Sequence, residues 1–389
     1  MTLKIAFVTP YYDPRDIRRG SGTFYYMSRE LERQGCQVEY FGPIQYSDPF
    51  STRILRFVTK RILGKRYKTY LDPAIAKVLG RELKQELDRV SVDLVLTNDP
   101  GVAAGLQVEM PVVYYSDVMI SASTRRIDLR KQVAYDQVPI WALRRYQKTM
   151  RQCLEHVKLS IFPAGWQNEY ALGFGIDPSK VKVLSFGANI EDPGRSTLHE
   201  RTTKLSTGNN VFTLLFVGRN WIEKGGNIAL KTVELLREAG VDAQLLVVGT
   251  IIPDPPDYVK VYGDLNKAFA QDAATLDILF RESDCLIFPS RHEGSAITPR
   301  EAAAYGLPTL AYRIDGILSS VVDGQSGVLL QPGSGPEFFV QVITDWFNQP
   351  ELYRHLSSGA REFYETKANW SNSVKQLITE LHNLLDFDL

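Results

Sequence analysis

Short, almost uninterrupted apolar runs recur along this chain, with longer amphipathic stretches between them. That rhythm admits few folds other than a parallel sheet with helices on both faces. In the first half, residues 5–9, 38–41, 94–97, 112–115 and 159–162 read as buried strands, and 23–34, 74–89, 133–156 and 165–173 have helical spacing. A polar stretch over 191–210, containing Pro, Gly, Ser and Thr and without periodicity, reads as a linker. The rhythm then restarts with strands at 212–217, 244–248, 285–288, 307–311 and 327–330, and with helices at 225–239 and 298–305.

Two strand-initiated halves predict an α/β chain of two Rossmann-like domains facing each other across a cleft. The expected divisions are 1–190, 191–369, and a helix over 370–389 that returns to the first domain, with Trp370 as its anchor at the seam. Ligands of open parallel sheets bind beyond the carboxyl ends of the strands, so chemistry is expected in the loops that follow them.

The 389 residues suit two domains, and 44% apolar with 23% charged residues is the balance of a soluble globular protein. No apolar run approaches the roughly 20 residues of a membrane-spanning helix, and the first strand begins too soon for a signal peptide. Cys36, Cys153 and Cys285 lie far apart in apolar surroundings, as core thiols of a reducing cytoplasm do. Net charge is zero, but residues 1–195 carry 29 Lys/Arg against 21 Asp/Glu, while 196–389 carry 16 against 24. The basic half is expected to meet something anionic.

Three loops could carry chemistry. After 212–217 comes Gly218-Arg219-Asn220-Trp221-Ile222-Glu223-Lys224-Gly225-Gly226, where a strand-end glycine, an Arg and a Lys precede a helix. That composition suits a diphosphate, although it is neither a P-loop nor a dinucleotide fingerprint. After 285–288 comes His292-Glu293-Gly294-Ser295-Ala296-Ile297, leading into a helix that carries Glu301. Small residues there can expose amides to anionic oxygen, and carboxylates bracketing them can accept from sugar hydroxyls. A solvent-facing helix residue and a loop charge are the plain alternatives for Glu301 and Glu293, as solvated loop charges are for Arg219 and Lys224. The third loop, Gly20-Ser21-Gly22-Thr23, follows the first strand and also suits a tight connection alone. The tail's Asp386-Phe387-Asp388 has the spacing of a metal-binding pair but no third ligand, and no metal site is expected.

Taken in order, these segments resemble the family-4 retaining glycosyltransferases of the GT-B fold. The resemblance runs from the glycine loop through Pro163-Ala-Gly-Trp-Gln-Asn-Glu, Gly175-IDPSKVKVLSFGANI-Glu191 and VGRNWIEKGG to EGSAITPREAAAYGLPTLA and Gly324-Gln-Ser-Gly-Val-Leu-Leu. It implies a hexosyltransferase moving sugar from a UDP- or GDP-linked donor to a hydroxyl of a glycan or lipid-linked acceptor, in polysaccharide or glycolipid synthesis. By the same resemblance, Arg219 and Lys224 clamp the diphosphate, Glu293 faces the transferred sugar, and Glu301 holds the nucleotide's ribose. The backbone of Gly294, Ser295, Ala296 and Ile297 completes the phosphate cradle with Gly218, and Gly22 approaches from the first domain. No metal or other cofactor is implied. The chain departs from the pattern in three places: Ser116-Asp117 stand where many members have a histidine near the sugar, Ala164 replaces a serine, and Ser295-Ala296 replace Phe-Gly. Asp117 can bond a sugar hydroxyl in the histidine's place. A sugar-nucleotide epimerase of the same fold, or a catalytically idle nucleotide-sugar-binding protein at a membrane, are the alternatives.

Residues 50–71 hold seven Lys/Arg (Arg53, Arg56, Lys60, Arg61, Lys65, Arg66 and Lys68), no acid, and apolar residues at near-helical spacing. Such a helix either lies on an anionic membrane, making the protein a peripheral one on the inner face, or covers the domain's own core. A second basic stretch, 125–151, faces the same choice and suits an acceptor. Nucleic acid is not an expected partner, since overall charge is neutral and no stacking groove is apparent.

Overall fold

The computed structural model describes residues 2–65, 67–122, 138–195 and 211–387. Arg66, the 123–137 part of the second basic stretch, 196–210 of the expected linker, and Asp388 lie outside them. The chain forms two compact units, Met1–Ser185 with Val374–Leu389, and Phe186–Ser373.

Unit 1 holds a six-stranded parallel sheet: β1 (Lys4–Val8), β2 (Gln37–Phe41), β3 (Leu94–Thr97), β4 (Val112–Tyr115), β5 (Leu159–Phe162) and β6 (Val181–Val183), in the order β2-β1-β3-β4-β5-β6. Strand β6, with the burial of an edge and only three residues, has no legible pattern in the sequence. Helices Thr23–Arg33, Pro73–Leu87, Ile140–His156 and Gly165–Leu172 fall where the spacing places them. Asp72 starts the second of these by accepting from the Ala74 amide at 2.7 Å, with proline at the first helical position. Its buried carboxylate also accepts from the Tyr67 hydroxyl at 2.7 Å and from Arg145 at 3.0 Å, which offsets the cost of burying it.

Unit 2 repeats the plan with β7 (Phe212–Val217), β8 (Ala243–Val248), β9 (Val259–Gly263), β10 (Cys285–Phe288), β11 (Thr309–Tyr312) and β12 (Gly327–Leu330), in the order β12-β11-β10-β7-β8-β9. Alternate residues of its strands enter different cores. Leu214, Phe216, Leu245, Val247 and Ile287 lie in one cluster, and Leu215, Leu246, Val248, Leu286 and Phe288 in another. Burial on both sides explains why the strands read as continuous apolar runs. Each Leu or Ile here is worth about 2–5 kcal/mol against alanine. Helices Ala270–Glu282, Pro336–Asn348 and Pro350–Thr366 complete the cover.

The beginning of the expected linker is anchored rather than loose. Arg361, on helix Pro350–Thr366, donates to Asp192 at 2.8 and 3.0 Å and to Glu365 at 2.9 Å, and Arg195 also pairs with Glu365. Further back, the Ala188 amide donates to the Ala368 carbonyl at 2.8 Å. Trp370 donates through Nε1 to Asn189 Oδ1 at 2.9 Å and packs on Gly187 and Phe186. These partners all belong to unit 2. The helix it begins, Trp370–Phe387, passes into unit 1 from Val374 onward. The three cysteines are free and buried. Among the described residues no helix is long and apolar enough to cross a membrane.

Candidate functional site

Strand order decides where unit 2 can open. From β7 the chain moves outward through β8 and β9, then returns to place β10 on the other side of β7. Successive connections therefore leave in opposite directions at the carboxyl ends of β7 and β10, the crevice where ligands of such sheets bind. The loops that follow these two strands are the ones singled out by composition, and they touch: the Arg291 amide donates to the Glu223 carbonyl at 3.1 Å.

Within this crevice Lys224 Nζ donates to Glu293 Oε1 at 2.6 Å, with the two side chains 28% and 11% exposed. The ammonium also lies 5.9 Å from the centroid of the Phe288 ring. Neither residue is a solvated loop charge. Arg219 is different. Its Nε lies 3.3 Å from Asp264 in a pair 77% and 64% exposed, an arrangement worth at most about 1 kcal/mol, so little holds it from a stronger anion.

Glu301 sits inside helix Thr298–Ala304 and is buried, which excludes a solvent-facing role. It pairs with Lys267, whose Nζ also donates to the Asn189 carbonyl at 2.8 Å. Lys267 was not among the residues expected from the sequence. It follows β9, an edge strand whose alternating polar residues break the apolar run that marks the other strands.

The cradle between these carboxylates is narrower than the sequence suggests. The Ala296 amide donates to the Gly316 carbonyl at 3.0 Å, so it is committed within the protein and Ala296 leaves the expected cradle. The Ser295 hydroxyl accepts from buried Arg300 at 3.0 Å. A Cβ on Gly316 would fall 2.1 Å from the Glu293 carbonyl oxygen. Gly316, 23 positions after Glu293 and outside the quoted motifs, therefore fixes how closely segment 293–296 approaches. Gly294 and Ile297 remain as backbone candidates; the Gly218 amide donates to the Val248 carbonyl at 2.9 Å, so Gly218 is left only the role of letting a ligand approach closely.

The corresponding crevice of unit 1 lies at β1 and β3, since β2 and β3 flank β1. Gly20, Ser21 and Gly22 form a left-handed turn with φ of 54°, 57° and 84°, and Gly22 ends it by donating to the Arg19 carbonyl at 2.8 Å. Beyond β3, Asn98 donates to the Tyr12 hydroxyl at 3.4 Å and Asp99 caps the next turn by accepting from the Val102 amide at 2.9 Å. Burial pushes the Asp99 carboxyl up to about 7, against amide hydrogen bonds from Val102 and Gly101 that favour the anion. A carboxyl poised near neutrality in a crevice is a functional signal that no motif announced. Ser116, by contrast, is buried and accepts from the Val118 amide at 3.1 Å, so its hydroxyl is engaged in a local turn. Asp117 follows it, its carbonyl accepting from Gln167 at 2.8 Å. Gln167 also accepts from the Ala164 amide at 2.9 Å, the half of a capping box that needs no serine at 164, and its own amide, which a serine hydroxyl would have received, donates to the Ala164 carbonyl at 3.3 Å.

Residues 200–363 match the family model described as "Glycosyl transferases group 1". The D-inositol 3-phosphate glycosyltransferase of Thermomonospora curvata is 24% identical over 225 residues, 53% of this chain and 52% of that protein. The chain thus spans about half the length of the curated relatives it matches. Among solved structures, sucrose-phosphate synthase from Thermosynechococcus elongatus superposes with a TM-score of 0.70 at 16% identity, covering 99% of both chains. HepE from Anabaena, solved with UDP-glucose, gives 0.61 at 18% identity over 98% of this chain and 100% of that one. At such identities the likeness speaks for the fold, and the sheets described above are the two sheets of a GT-B chain. Through residues 200–363, this chain is similar to the glycosyl transferases group 1 family.

Proposed function

We propose that this protein is a retaining glycosyltransferase that moves a hexose-type sugar from a UDP- or GDP-linked donor to a hydroxyl of a glycan or lipid-linked acceptor. The observation that carries the reading is the Lys224–Glu293 pair at the β7/β10 crevice, with the loosely held Arg219 beside it. Support also comes from the family match of residues 200–363 and from the UDP-glucose carried by the HepE structure.

In this reading Arg219 and Lys224 bind the donor diphosphate and offset the charge it gains as it leaves. Glu293 releases part of its hold on Lys224 and accepts from hydroxyls of the transferred sugar. Glu301, oriented by its pairing with Lys267, accepts from the ribose hydroxyls. The backbone of Gly294 and Ile297 and the Gly218 turn allow the phosphates close approach. Gly22 and Asp117 are assigned to the donor sugar or acceptor from unit 1, with Ser116 shaping that turn. The acceptor oxygen forms its bond to the anomeric carbon as the bond from that carbon to the diphosphate breaks. A diphosphate oxygen takes the hydroxyl proton. The step involves no metal, no other cofactor and no covalent nucleophile.

The test is release of free nucleotide from a panel of UDP-, GDP- and ADP-sugars, with and without hydroxyl acceptors. Acceptor-dependent release with one donor is expected, falling about a hundredfold or more in Lys224→Ala. Donor binding with release at background throughout would instead identify a binding protein and overturn the proposal.

A further inference from the structure

Helix Phe50–Arg61 sits on unit 1 the opposite way round from an ordinary surface helix. Its fully buried residues are Thr52 and Thr59, and the Thr59 hydroxyl is satisfied by donating to the Leu55 carbonyl at 2.7 Å. Leu55 packs against the core beside them. The apolar residues that face water are Phe50, Ile54 and Phe57, exposed by 75%, 46% and 62%. Spacings of four and three place these on one stripe of the helix. Ile62 and Leu63, exposed by 69% and 41%, follow immediately. The sequence left open whether this segment's apolar residues cover the domain core. Most of them do not.

The charges are arranged to match. Arg53 and Lys60 lie along one flank of the apolar stripe and Arg61 falls on it, all three exposed. Arg56 lies farther round and pairs with Asp48 at 2.8 Å. Residues 50–71 contain seven Lys/Arg and no Asp or Glu. A second copy of this chain is a poor occupant, because pairing the stripe with itself would bring these cations together. A polyanion in water would meet the bases but leave two phenylalanines and an isoleucine exposed. One surface answers both demands, offering apolar depth beneath a negative plane.

We propose that helix Phe50–Arg61 docks unit 1 on an anionic lipid bilayer. Phe50, Ile54 and Phe57 enter the acyl boundary, and Arg53, Lys60 and Arg61 meet the headgroup phosphates. None of these residues belongs to the transfer machinery proposed above, so docking and transfer stand or fall separately.

Flotation of the full chain with vesicles tests the assignment. The chain is expected to float with phosphatidylcholine vesicles containing about 30% phosphatidylglycerol, and to remain behind with phosphatidylcholine alone. F50S/I54S/F57S should lower partitioning at least tenfold. R53Q/K60Q/R61Q should lower it on the order of a hundredfold, and added salt should weaken the parent's binding. Both triple variants alter exposed side chains, so an unchanged melting midpoint should accompany these losses, and nucleotide release with a soluble acceptor should also be unchanged. Equal flotation on neutral and anionic vesicles, absence of flotation on both, or variants that float like the parent would overturn the proposal. So would a parent dimer that F50S/I54S/F57S converts to monomer while vesicle binding persists, since the occupant would then be a second copy.

Discussion

Lys224 Nζ and Glu293 Oε1 lie 2.6 Å apart although one residue follows β7 and the other follows β10, 69 positions along the chain. The pair holds the two loops of the crevice together and balances a partly buried charge. Lys224→Met leaves Glu293 facing an apolar group and should cost about 1–3 kcal/mol of stability. Adding Glu293→Gln should restore part of that loss, because the remaining partner is then neutral. Donor turnover should stay depressed by about two to three orders of magnitude in both single and double variants. Thermal melts and nucleotide release read the two effects apart. Recovery of turnover in the double variant would mean the pair serves the fold alone.

Gly316 belongs to a short helix, where alanine is the better helix former by about 1 kcal/mol. Gly316→Ala should nonetheless destabilise, by roughly 1–3 kcal/mol, because its methyl would collide with the Glu293 carbonyl. The shift should also strain the Ala296 amide bond to Gly316 and weaken donor turnover. A melting midpoint that rises would show that propensity wins over contact at this position.

Asp99 gives the protein a pH dependence of a particular sign. Burial raises its carboxyl from the ordinary 3.8 to about 7, so across this interval the folded state keeps a proton that the unfolded state has released. Stability from this group is therefore lost as pH rises from about 4 to 7. Asp99→Asn keeps an oxygen to cap the Val102 amide and removes the buried charge. Its melting midpoint should gain on the parent's steadily between about pH 4 and 7. A constant difference across that range would rule out Asp99 as the cause.

Glu365 works in the opposite direction. The Arg195 guanidinium, and Arg361 behind it, hold its carboxyl down at about 2 despite some cost of burial. The unfolded chain takes up this proton near pH 4.5, so the stabilisation is complete above that pH and is lost as pH falls toward 2. Glu365→Gln should lower the midpoint at pH 7, and the gap to the parent should close in acid. The solvent exposure of Arg195 keeps the expected effect small.

How far the sequence reaches can be judged from particular elements. Strands β3, β4, β5, β7 and β10 lie where their apolar runs place them, because strands covered on both faces carry a signal in every residue. Edge strands β6 and β9 do not, since water on one side admits Lys182, Lys260 and Tyr262. Helices Ala270–Glu282 and Pro336–Asn348 also escaped the reading, although they cover unit 2. The residues of the crevice were legible as loop chemistry, yet Lys267 and Gly316 were not. Their importance lies in contacts 34 and some twenty positions away, and local spacing carries no trace of such contacts.

By itself the sequence determined that this is an α/β chain of two repeated halves and which loops bear Arg219, Lys224, Glu293 and Glu301. It could do so because burial on both faces of a parallel strand leaves a continuous apolar run, and each run ends where a loop must begin. Only the tertiary structure decided that Lys224 meets Glu293, that Glu301 meets Lys267, that Ala296 spends its amide on Gly316, and that Phe50, Ile54 and Phe57 face water. Those outcomes follow from strand order and from the rotation of each helix on its sheet, which join residues that the chain keeps far apart.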